Sequence, residues 1–275
     1  MKGIILADGA NVRLHPITLA VPQQLVPVGG KPLIYYPLSV LMLAGIRNIL
    51  VIADPADLSQ IRRLLGDGSQ LGLAIDYAGQ DRPGSPVDTF IIGADHIGGE
   101  NVAVILGDNI FHGHRLRDLL ELHAQHVPGC VLFRWSTRAI TGLYFYHSDV
   151  VDLAKELVFA ERGERDIAEL NRAYSDRGRT RLVELGRGFE ILDAATPESL
   201  MRTSQYVHAL EERQGVRIAC LEEVAMRMGF ITAEACHRLG TRLAKSEYGQ
   251  YVMAVAQESA SKSDTAALLM ASVRK

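Results

Sequence analysis

Hydrophobic and polar positions follow one another along the chain in a pattern that predicts strands separated by helices. Short apolar runs predict buried strands at KGIILA, RNILVIAD, LAIDYAG, NVAVILGDNIF, CVLFRW and TGLYFYH. Between the earlier runs, the spacing of apolar residues predicts helices at KPLIYYPLSVLMLAGI and DLSQIRRLLGDGSQLG. In the first of these helices, one side carries Leu38, Leu41, Met42 and Gly45. Strands that alternate with helices predict an α/β fold with a mostly parallel sheet and crossover helices.

The second half of the chain changes from strands to helices. The pattern predicts helices at DVVDLAKEL and DIAELNRAYSDRG, and a pair of strands in TRLVELGRGFEILDA. A further helix begins at TPESLMRTS, where Thr196 and Ser199 have the spacing of a capping box. We therefore expect an α/β core over residues 1–215, a small helical lobe packed on it over 216–257, and a loosely ordered tail over 258–275.

Composition and charge narrow the class of protein. The 275 residues are 48% hydrophobic and 22% charged, which is ordinary for a soluble enzyme. A net charge of −3 offers no basic surface for nucleic acid, and the longest apolar stretch is too short to span a bilayer. The N-terminus has no signal-peptide pattern, and the three cysteines lack the spacing of a zinc site. We expect a cytoplasmic protein with reduced thiols.

Candidate chemistry lies where the predicted parallel strands end, because ligands bind at the carboxyl ends of such strands. The loop from Asp8 to Arg13, Gln80 and the turn from Gly107 to Asn109 all lie there. The loop has neither the G-x-G-x-x-G of a dinucleotide fold nor a P-loop motif. An arginine and a separate aspartate suit metal-assisted attack on phosphorus. From the pattern alone, Arg13 is equally a solvated loop cation, and Asp108 and Asp193 are more typical of turn residues.

Four histidines fall within FHGHRLRDLLELHAQH. His123 and His126 share a helix face, and His112 and His114 precede that helix. No carboxylate or cysteine completes a metal site at a suitable spacing. The pattern therefore favours solvated or hydrogen-bonded histidines over metal ligands.

Several longer segments, in order along the chain, resemble one family. These are KGIILADG, RLHP, KPLIYYPLSVLMLAGIRNIL, LLGDGSQLG, FIIG, LGDNIFHGH, TGLYFY, GRGFEILD, EERQG, GFI and YGQY. From residue 1 to about residue 253 the chain resembles the glucose-1-phosphate thymidylyltransferases. The resemblance implies a Rossmann-like nucleotidyltransferase fold and Mg²⁺-dependent transfer of dTMP from dTTP to glucose 1-phosphate. Pyrophosphate leaves, and dTDP-glucose for deoxysugar biosynthesis is the product.

The resemblance also implies roles for individual residues. Arg13 would hold the triphosphate, Gln80 would bind the thymine edge, and Gly9 would let the backbone approach the nucleotide. Asp108 and Asp193 would coordinate Mg²⁺, with Asp108 and Arg13 also catalytic. The sugar and its phosphate would be bound by Asn109, Gly142, Tyr144 and the catalytic Arg162. The family further implies a homo-oligomer, a tetramer or dimer, with a second nucleotide site near the HGH segment.

The chain departs from the family pattern at four places. Asp8 and Asn11 replace loop glycines, and Gln23 stands where the family has a phosphate-facing lysine. In the nucleotide-base pocket, Ser85 replaces a glycine and is followed by Pro86. The fourth place is the link STRAI between CVLFRW and TGLYFY, where the family has a long segment with a sugar-binding Glu-Glu-Lys-Pro motif.

The turn after Asp193 differs as well, with Ala194-Ala195 in place of Thr-Gly. Losing preorganised charged groups lowers turnover steeply. Two hypotheses stay open: an active thymidylyltransferase, and a non-catalytic nucleotide-binding or regulatory paralogue that assembles with an active enzyme. A dinucleotide-dependent oxidoreductase is a third, without a glycine motif in its favour.

Overall fold

The fold is built on a seven-stranded sheet. A computed structural model of the chain describes residues 1–7, 12–80, 86–135, 139–159 and 166–273. Its strands are β1 Lys2–Leu6, β2 Pro27–Val28, β3 Lys31–Pro32, β4 Asn48–Ala53, β5 Ala74–Gly79, β6 Val102–Leu106, β7 Asn109–Gly113, β8 Cys130–Trp135, β9 Ala139–Tyr146, β10 Thr180–Leu185 and β11 Phe189–Asp193. Its α-helices are α1 Ile17–Ala20, α2 Tyr35–Leu43, α3 Pro55–Leu65, α4 Asp88–Ile92, α5 Ala94–Ile97, α6 Leu116–Ala124, α7 Val150–Phe159, α8 Ile167–Asp176, α9 Pro197–Gln214, α10 Leu221–Arg227, α11 Ala233–Arg242 and α12 Glu247–Val273.

The main sheet has the order β10-β8-β9-β6-β1-β4-β5. Strand β9 runs antiparallel to both of its neighbours, and the other adjacent pairs are parallel. Helices α2, α3, α6 and α10 cover one face of the sheet, and α4, α5, α7 and α8 cover the other. The predicted α/β class with a mostly parallel sheet is confirmed.

Strand pairing corrects one prediction and adds a strand to another. The segment TRLVELGRGFEILDA does contain two strands, but they do not pair with each other: β10 joins the main sheet beside β8, and β11 pairs antiparallel with β7. The strand in NVAVILGDNIF ends in the turn at Gly107 and Asp108, as predicted, but the residues after that turn form a further strand, β7, that was not predicted. The pairing of β10 and β11 was wrong because apolar periodicity identifies a strand without identifying its partner.

Helix α2 also differs from its prediction. It begins at Tyr35 rather than at the start of KPLIYYPLSVLMLAGI, and residues Tyr36 to Met42 are all buried. The helix lies between the sheet, α6 and α10, so it has no solvent-facing side. The predicted one-sided apolar stripe was therefore wrong, since a helix apolar all round is a core helix.

The C-terminal part is helical, as predicted. Helix α9 begins with the predicted capping box, in which the Thr196 and Ser199 side chains each bind the other residue's backbone N–H. Helices α10 to α12 enclose a small core of their own that includes Cys220 and Cys236. Helix α12 continues to Val273 through most of segment 258–275, and the domain boundaries themselves stay predictions. No helix among the described residues is long and apolar enough to cross a bilayer.

Candidate active site

The turn after β6 brings the site to the end of β1. Strands β1 and β6 are parallel neighbours, with Leu6 in register with Leu106. The Gly107 N–H donates to the Leu6 carbonyl at 2.9 Å. A Cβ at Gly107 would lie 3.0 Å from that same oxygen, so only glycine fits here without a shift. This close contact places Asp108 beside the end of the first strand, as the sequence predicted.

Asp108 and Asp193 come together through the small β7–β11 sheet, although 84 positions of the chain separate them. Asn109 is the register partner of Asp193, and the Ala194 N–H donates to the Asp108 carbonyl at 3.2 Å. Both carboxylates therefore lie at one end of this ladder. Residue reasoning alone had favoured turn roles for them.

The electrostatics of Asp108 agree with this proximity. Burial raises the pKa of the Asp108 carboxyl above its ordinary value, and the charge of Asp193 acts in the same direction. The Asn109 amide, which donates to Asp108 Oδ1 at 2.8 Å, and the charge of Arg13 oppose that shift. Arg13 lies in a short 3₁₀ helix, Val12–Leu14, with its side chain exposed. The structure thus brings one cation and two carboxylates to the same edge of the sheet.

The turn that carries Asp193 is fixed by several hydrogen bonds. The Ala195 N–H donates to Asp193 Oδ1 at 3.2 Å, and Thr203 Oγ1 donates to the Asp193 carbonyl at 2.8 Å. Gln23 is 3% exposed, and its Nε2 donates to the Ala194 carbonyl at 3.3 Å. Gln23, predicted at a nucleotide-binding position, therefore contacts the aspartate turn. Sequence reasoning missed Thr203, which reads as an ordinary helix residue.

Two glutamines carry buried polar atoms without partners among the described residues. Gln80 follows β5 and is 6% exposed, and neither its amide oxygen nor its amide nitrogen has a partner there. Gln24 Oε1 is also buried without a hydrogen-bond partner among the described residues, and Gln24 Nε2 lies beside Gly107. An unsatisfied buried amide costs about 1–3 kcal/mol, so a ligand that pairs with it gains that energy. Gln80 was predicted from the sequence as a site residue, and Gln24 was missed. The only feature of the sequence that could have indicated Gln24 is its position next to Gln23.

The predicted sugar-binding residues separate into two places. Gly142 lies against Asn109, because a Cβ at Gly142 would be 2.8 Å from Asn109 Nδ2. Tyr144 is buried and stacks on Tyr146 at 6.0 Å between ring centroids. Burial raises the pKa of Tyr144 to about 12, and Tyr144 lines another cleft, beside Asp166 at the start of α8. The structure therefore packs Gly142 against Asn109, and Tyr144, two residues further along β9, lines the cleft at α8.

Three predicted site residues, Gly9, Ser85 and Arg162, lie outside the described residues, and so do Asp8 and Asn11. Their roles stay predictions. Among the described residues, no group of three or more histidines, cysteines and carboxylates is arranged to hold a metal ion.

The family model named Nucleotidyl transferase matches residues 2–136. This class agrees with a covered, mostly parallel sheet whose carboxyl edge carries Arg13, Asp108 and Gln80. Among solved structures, a protein described as a glucose-1-phosphate thymidylyltransferase from Bacillus anthracis, in complex with sucrose, has a TM-score of 0.68 at 27% identity. The match covers 76% of this chain and 95% of that one. A UDP-glucose pyrophosphorylase complexed with UDP-glucose shares the fold at 17% identity, with a TM-score of 0.63 over 76% of this chain and 98% of that one.

Sequence relatives give the particular family. A glucose-1-phosphate thymidylyltransferase from Neisseria meningitidis is 43% identical over 283 positions, covering 92% of this chain and 98% of the relative. One from Mycolicibacterium smegmatis is 42% identical, and one from Mycobacterium tuberculosis is 41% identical, each covering 92% of this chain and 98% of the relative. The chain belongs to the glucose-1-phosphate thymidylyltransferase family.

The alignment also measures a deletion. It spans 283 positions and uses 92% of 275 residues, about 253, which leaves about 30 positions of the Neisseria protein without a counterpart here. The resemblance predicted such a loss between CVLFRW and TGLYFY. In the structure, β8 and β9 are adjacent antiparallel strands joined through residues 136–138, which lie outside the described residues.

Proposed function

We propose that the chain transfers dTMP from dTTP to glucose 1-phosphate in the presence of Mg²⁺, giving dTDP-glucose and pyrophosphate. The observation that carries this proposal is the meeting of Asp108 and Asp193 at the sheet edge that also bears Arg13. The 43% identical Neisseria relative is named for the same reaction.

The donor set fits Mg²⁺. Asp108 and Asp193 supply carboxylate oxygens, the ligands that this hard cation prefers. Their proximity contributes to the raised pKa of the Asp108 carboxyl, and a divalent cation bound by both would offset that repulsion. When bound, Mg²⁺ would neutralise phosphate charge. Relatives of this class typically use a divalent metal, and its identity as Mg²⁺ is part of the proposal.

In the proposed reaction, an oxygen of the sugar phosphate attacks the α-phosphorus of dTTP, and the bond to pyrophosphate breaks. No covalent enzyme intermediate forms, so the protein contributes position and charge. Arg13 would neutralise the charge that develops on the departing pyrophosphate. The unpartnered amide of Gln80 would pair with the thymine edge. Asn109, held by Asp108 and packed on Gly142, would bind the acceptor sugar.

Pyrophosphate release with dTTP, glucose 1-phosphate and Mg²⁺ tests this proposal. Asp108→Asn and Asp193→Asn are each expected to lower the rate by about 10²–10³, the usual loss for one preorganised charged group. Asp118→Asn is the matched control, because Asp118 pairs with Arg115 on the exposed face of α6. Absence of pyrophosphate release by the unmodified protein would contradict the proposal.

A second candidate function is a non-catalytic, nucleotide-binding or regulatory paralogue. The loss of about 30 aligned positions favours it, as does Gln23, which contacts a backbone carbonyl in place of a phosphate-facing lysine. Calorimetry with dTTP, and mixing with an active family member, separate the two functions. A subunit of this kind binds nucleotide or changes the partner's rate while releasing no pyrophosphate itself.

We further propose that the protein is a cytoplasmic homo-oligomer, a dimer or tetramer. Light scattering coupled to size-exclusion chromatography measures its mass directly. A single 30.1 kDa species at micromolar concentration would contradict this part of the proposal.

A further inference from the structure

A small cavity lies beside the paired carboxylates, between the β7–β11 ladder and the ends of β8 and β9. Its volume is about 170 Å³, roughly six water molecules at liquid density, so it is too small for a nucleotide. Its lining residues are Asn109, Trp135, Ile140, Thr141, Ile191, Leu192 and Asp193. Because Asp193 and Asn109 belong to the lining, the cavity opens directly next to the proposed metal carboxylates.

The walls of this cavity differ in character. Trp135, Ile140 and Ile191 supply apolar surface, and Ile140 is 46% exposed. Asn109, Thr141 and Asp193 supply polar atoms. The Thr141 hydroxyl donates its proton to the Phe133 carbonyl at 2.9 Å, so its oxygen is left to accept. Apolar surface with a few fixed polar groups suits a monosaccharide, which has C–H faces and hydroxyl edges.

Trp135 is the last residue of β8 and the only tryptophan of the chain. Its Nε1 donates to the Phe189 carbonyl at 2.9 Å, which fixes the orientation of the indole. Since that bond uses the one polar atom of the ring, its carbon surface is what the side chain presents to a ligand. An indole held in this way is preorganised, so binding a ligand against it costs little side-chain entropy.

We propose that Trp135 is the platform against which the sugar ring of the acceptor packs in this chain. The proposal rests on the proposed transferase function and assigns a specificity-determining residue to it. Trp135 directly precedes the link at residues 136–138 and lines the cavity beside Asp193, which we call the acceptor cavity. The acceptor class is a hexose 1-phosphate, with the ring in the cavity and the phosphate towards the carboxylate edge.

The single tryptophan makes the test direct. Glucose 1-phosphate is titrated into the unmodified protein with Mg²⁺ while tryptophan emission is recorded, with inorganic phosphate as the parallel titrant. A saturable change with the sugar phosphate alone supports the platform. An equal change with inorganic phosphate, or no change with either, overturns it.

Kinetics give an independent readout. Trp135→Leu keeps apolar volume and removes the aromatic face, and Trp135→Phe restores a smaller one. We expect Trp135→Leu to raise KM for glucose 1-phosphate by about 2–12-fold, the range that aromatic pairing energies of 0.5–1.5 kcal/mol allow, with kcat and KM for dTTP within twofold. Trp135→Phe should recover part of the loss. Tyr77→Ala is the matched control, because Tyr77 is another half-buried aromatic hydrogen-bonded to a backbone carbonyl, that of Gly66 at 2.6 Å.

The outcomes separate this inference from the proposed function. Saturable sugar-phosphate fluorescence without pyrophosphate release leaves the platform standing and removes the transferase. Normal turnover by Trp135→Leu, with an unchanged KM for the sugar phosphate, removes the platform and leaves the transferase standing. An increase of KM for both substrates in Trp135→Leu, or a similar loss in Tyr77→Ala, shows general damage to packing and also overturns the platform.

Discussion

One buried ion pair joins the start of the chain to its long helix α9. Lys31 Nζ lies 2.6 Å from Glu211 Oε1, and the two side chains are 2% and 4% exposed. Glu211 also accepts from the Ile218 N–H at 2.8 Å and from Arg217 Nη1 at 3.1 Å. The remaining contacts of Lys31 are weaker: the Gly29 carbonyl at 3.2 Å and the face of a tyrosine ring. The glutamate is therefore the main compensation for a lysine taken out of water.

We predict that Glu211→Gln destabilises the protein strongly. Removing one partner of a buried pair costs about 3–5 kcal/mol, because the other charge stays buried without compensation. Lys31→Met should cost less, since Glu211 keeps Arg217 and the Ile218 N–H. The double variant Lys31→Met, Glu211→Gln should recover most of the loss, because no lysine charge is then buried without compensation and the glutamine oxygen can still accept from the Ile218 N–H.

The assay is equilibrium unfolding in urea, followed by far-UV circular dichroism, with the midpoint and slope compared between variants. Glu198→Gln is the matched control on the same helix, because Glu198 pairs with Arg202 in solvent, at 87% and 71% exposure. Its midpoint should stay close to that of the unmodified protein. Equal midpoints for Glu211→Gln and Glu198→Gln would refute the reasoning, as would a double variant less stable than either single one.

The change in stability with pH gives a second test of the Glu211→Gln prediction. Burial lowers the pKa of Lys31, although Glu211 opposes the shift. Folding therefore disfavours the protonated lysine, and this penalty falls as pH rises towards the ordinary lysine value near 10.5. The deficit of Glu211→Gln should shrink between neutral pH and that value. A deficit that grows with pH would contradict the assignment.

Other predictions test the scaffold and the site. The pKa of Asp149 is lowered, because hydrogen bonds from Arg179 and other groups outweigh its burial. Asp149→Asn should therefore make the protein less stable than the unmodified protein near neutral pH. In unfolding measured from pH 5 down through the lowered pKa, this difference in stability should disappear. Gly142→Ala places a Cβ 2.8 Å from Asn109 Nδ2 and 2.9 Å from the Leu106 side chain, so pyrophosphate release should fall by about 10-fold or more, and stability in urea should fall as well. Thr203→Val removes the 2.8 Å bond to the carbonyl of the β11 aspartate, so the Mg²⁺ concentration for half-maximal rate should rise, and Thr203→Ser should restore it.

Matched controls exist for these three changes. Glu156→Gln removes another partner of an arginine, in an exposed pair between α7 and Arg177 at the end of α8, and should show no comparable pH dependence of stability. Gly186→Ala adds a Cβ that meets nothing within 4 Å. Thr241→Val breaks an exposed hydroxyl-to-carbonyl bond of 2.9 Å within α11. Each prediction is contradicted if its control produces the same effect.

The sequence allowed much of the core to be predicted because its signals are local. Apolar runs located β1, β4 and β5, and the Thr196–Ser199 capping box located the start of α9. The partner of β11 could not be predicted, because its partner β7 lies more than 70 residues earlier in the chain. The Lys31–Glu211 pair was missed for the same reason, since neither residue has an unusual local pattern.

The candidate site was predicted in two unequal parts. Strand-end position pointed to Arg13, Gln80 and Asp108, whereas the pairing of Asp108 with Asp193 came only from the family resemblance. The contact between these two aspartates cannot be predicted from local sequence patterns. It depends on the register of β7 and β11, two strands that are far apart in the sequence. The acceptor cavity was missed too: Trp135 reads as the end of a buried strand.

The contacts that fix Asp193 differ from the position of Trp135 in their relation to the link at residues 136–138. Asp193 is held by the β7–β11 ladder, by Thr203 and, through Ala194, by Gln23, and none of these contacts involves residues 136–138. These contacts are therefore made by elements other than β8 and β9, the two strands that the link at residues 136–138 joins. The proposed acceptor side adjoins that link in the chain, because Trp135 is the last residue of β8. If the proposed reaction holds, Gln23 in place of a phosphate-facing lysine should weaken dTTP binding relative to longer relatives, and changes beside Trp135 should alter the choice and affinity of the sugar phosphate.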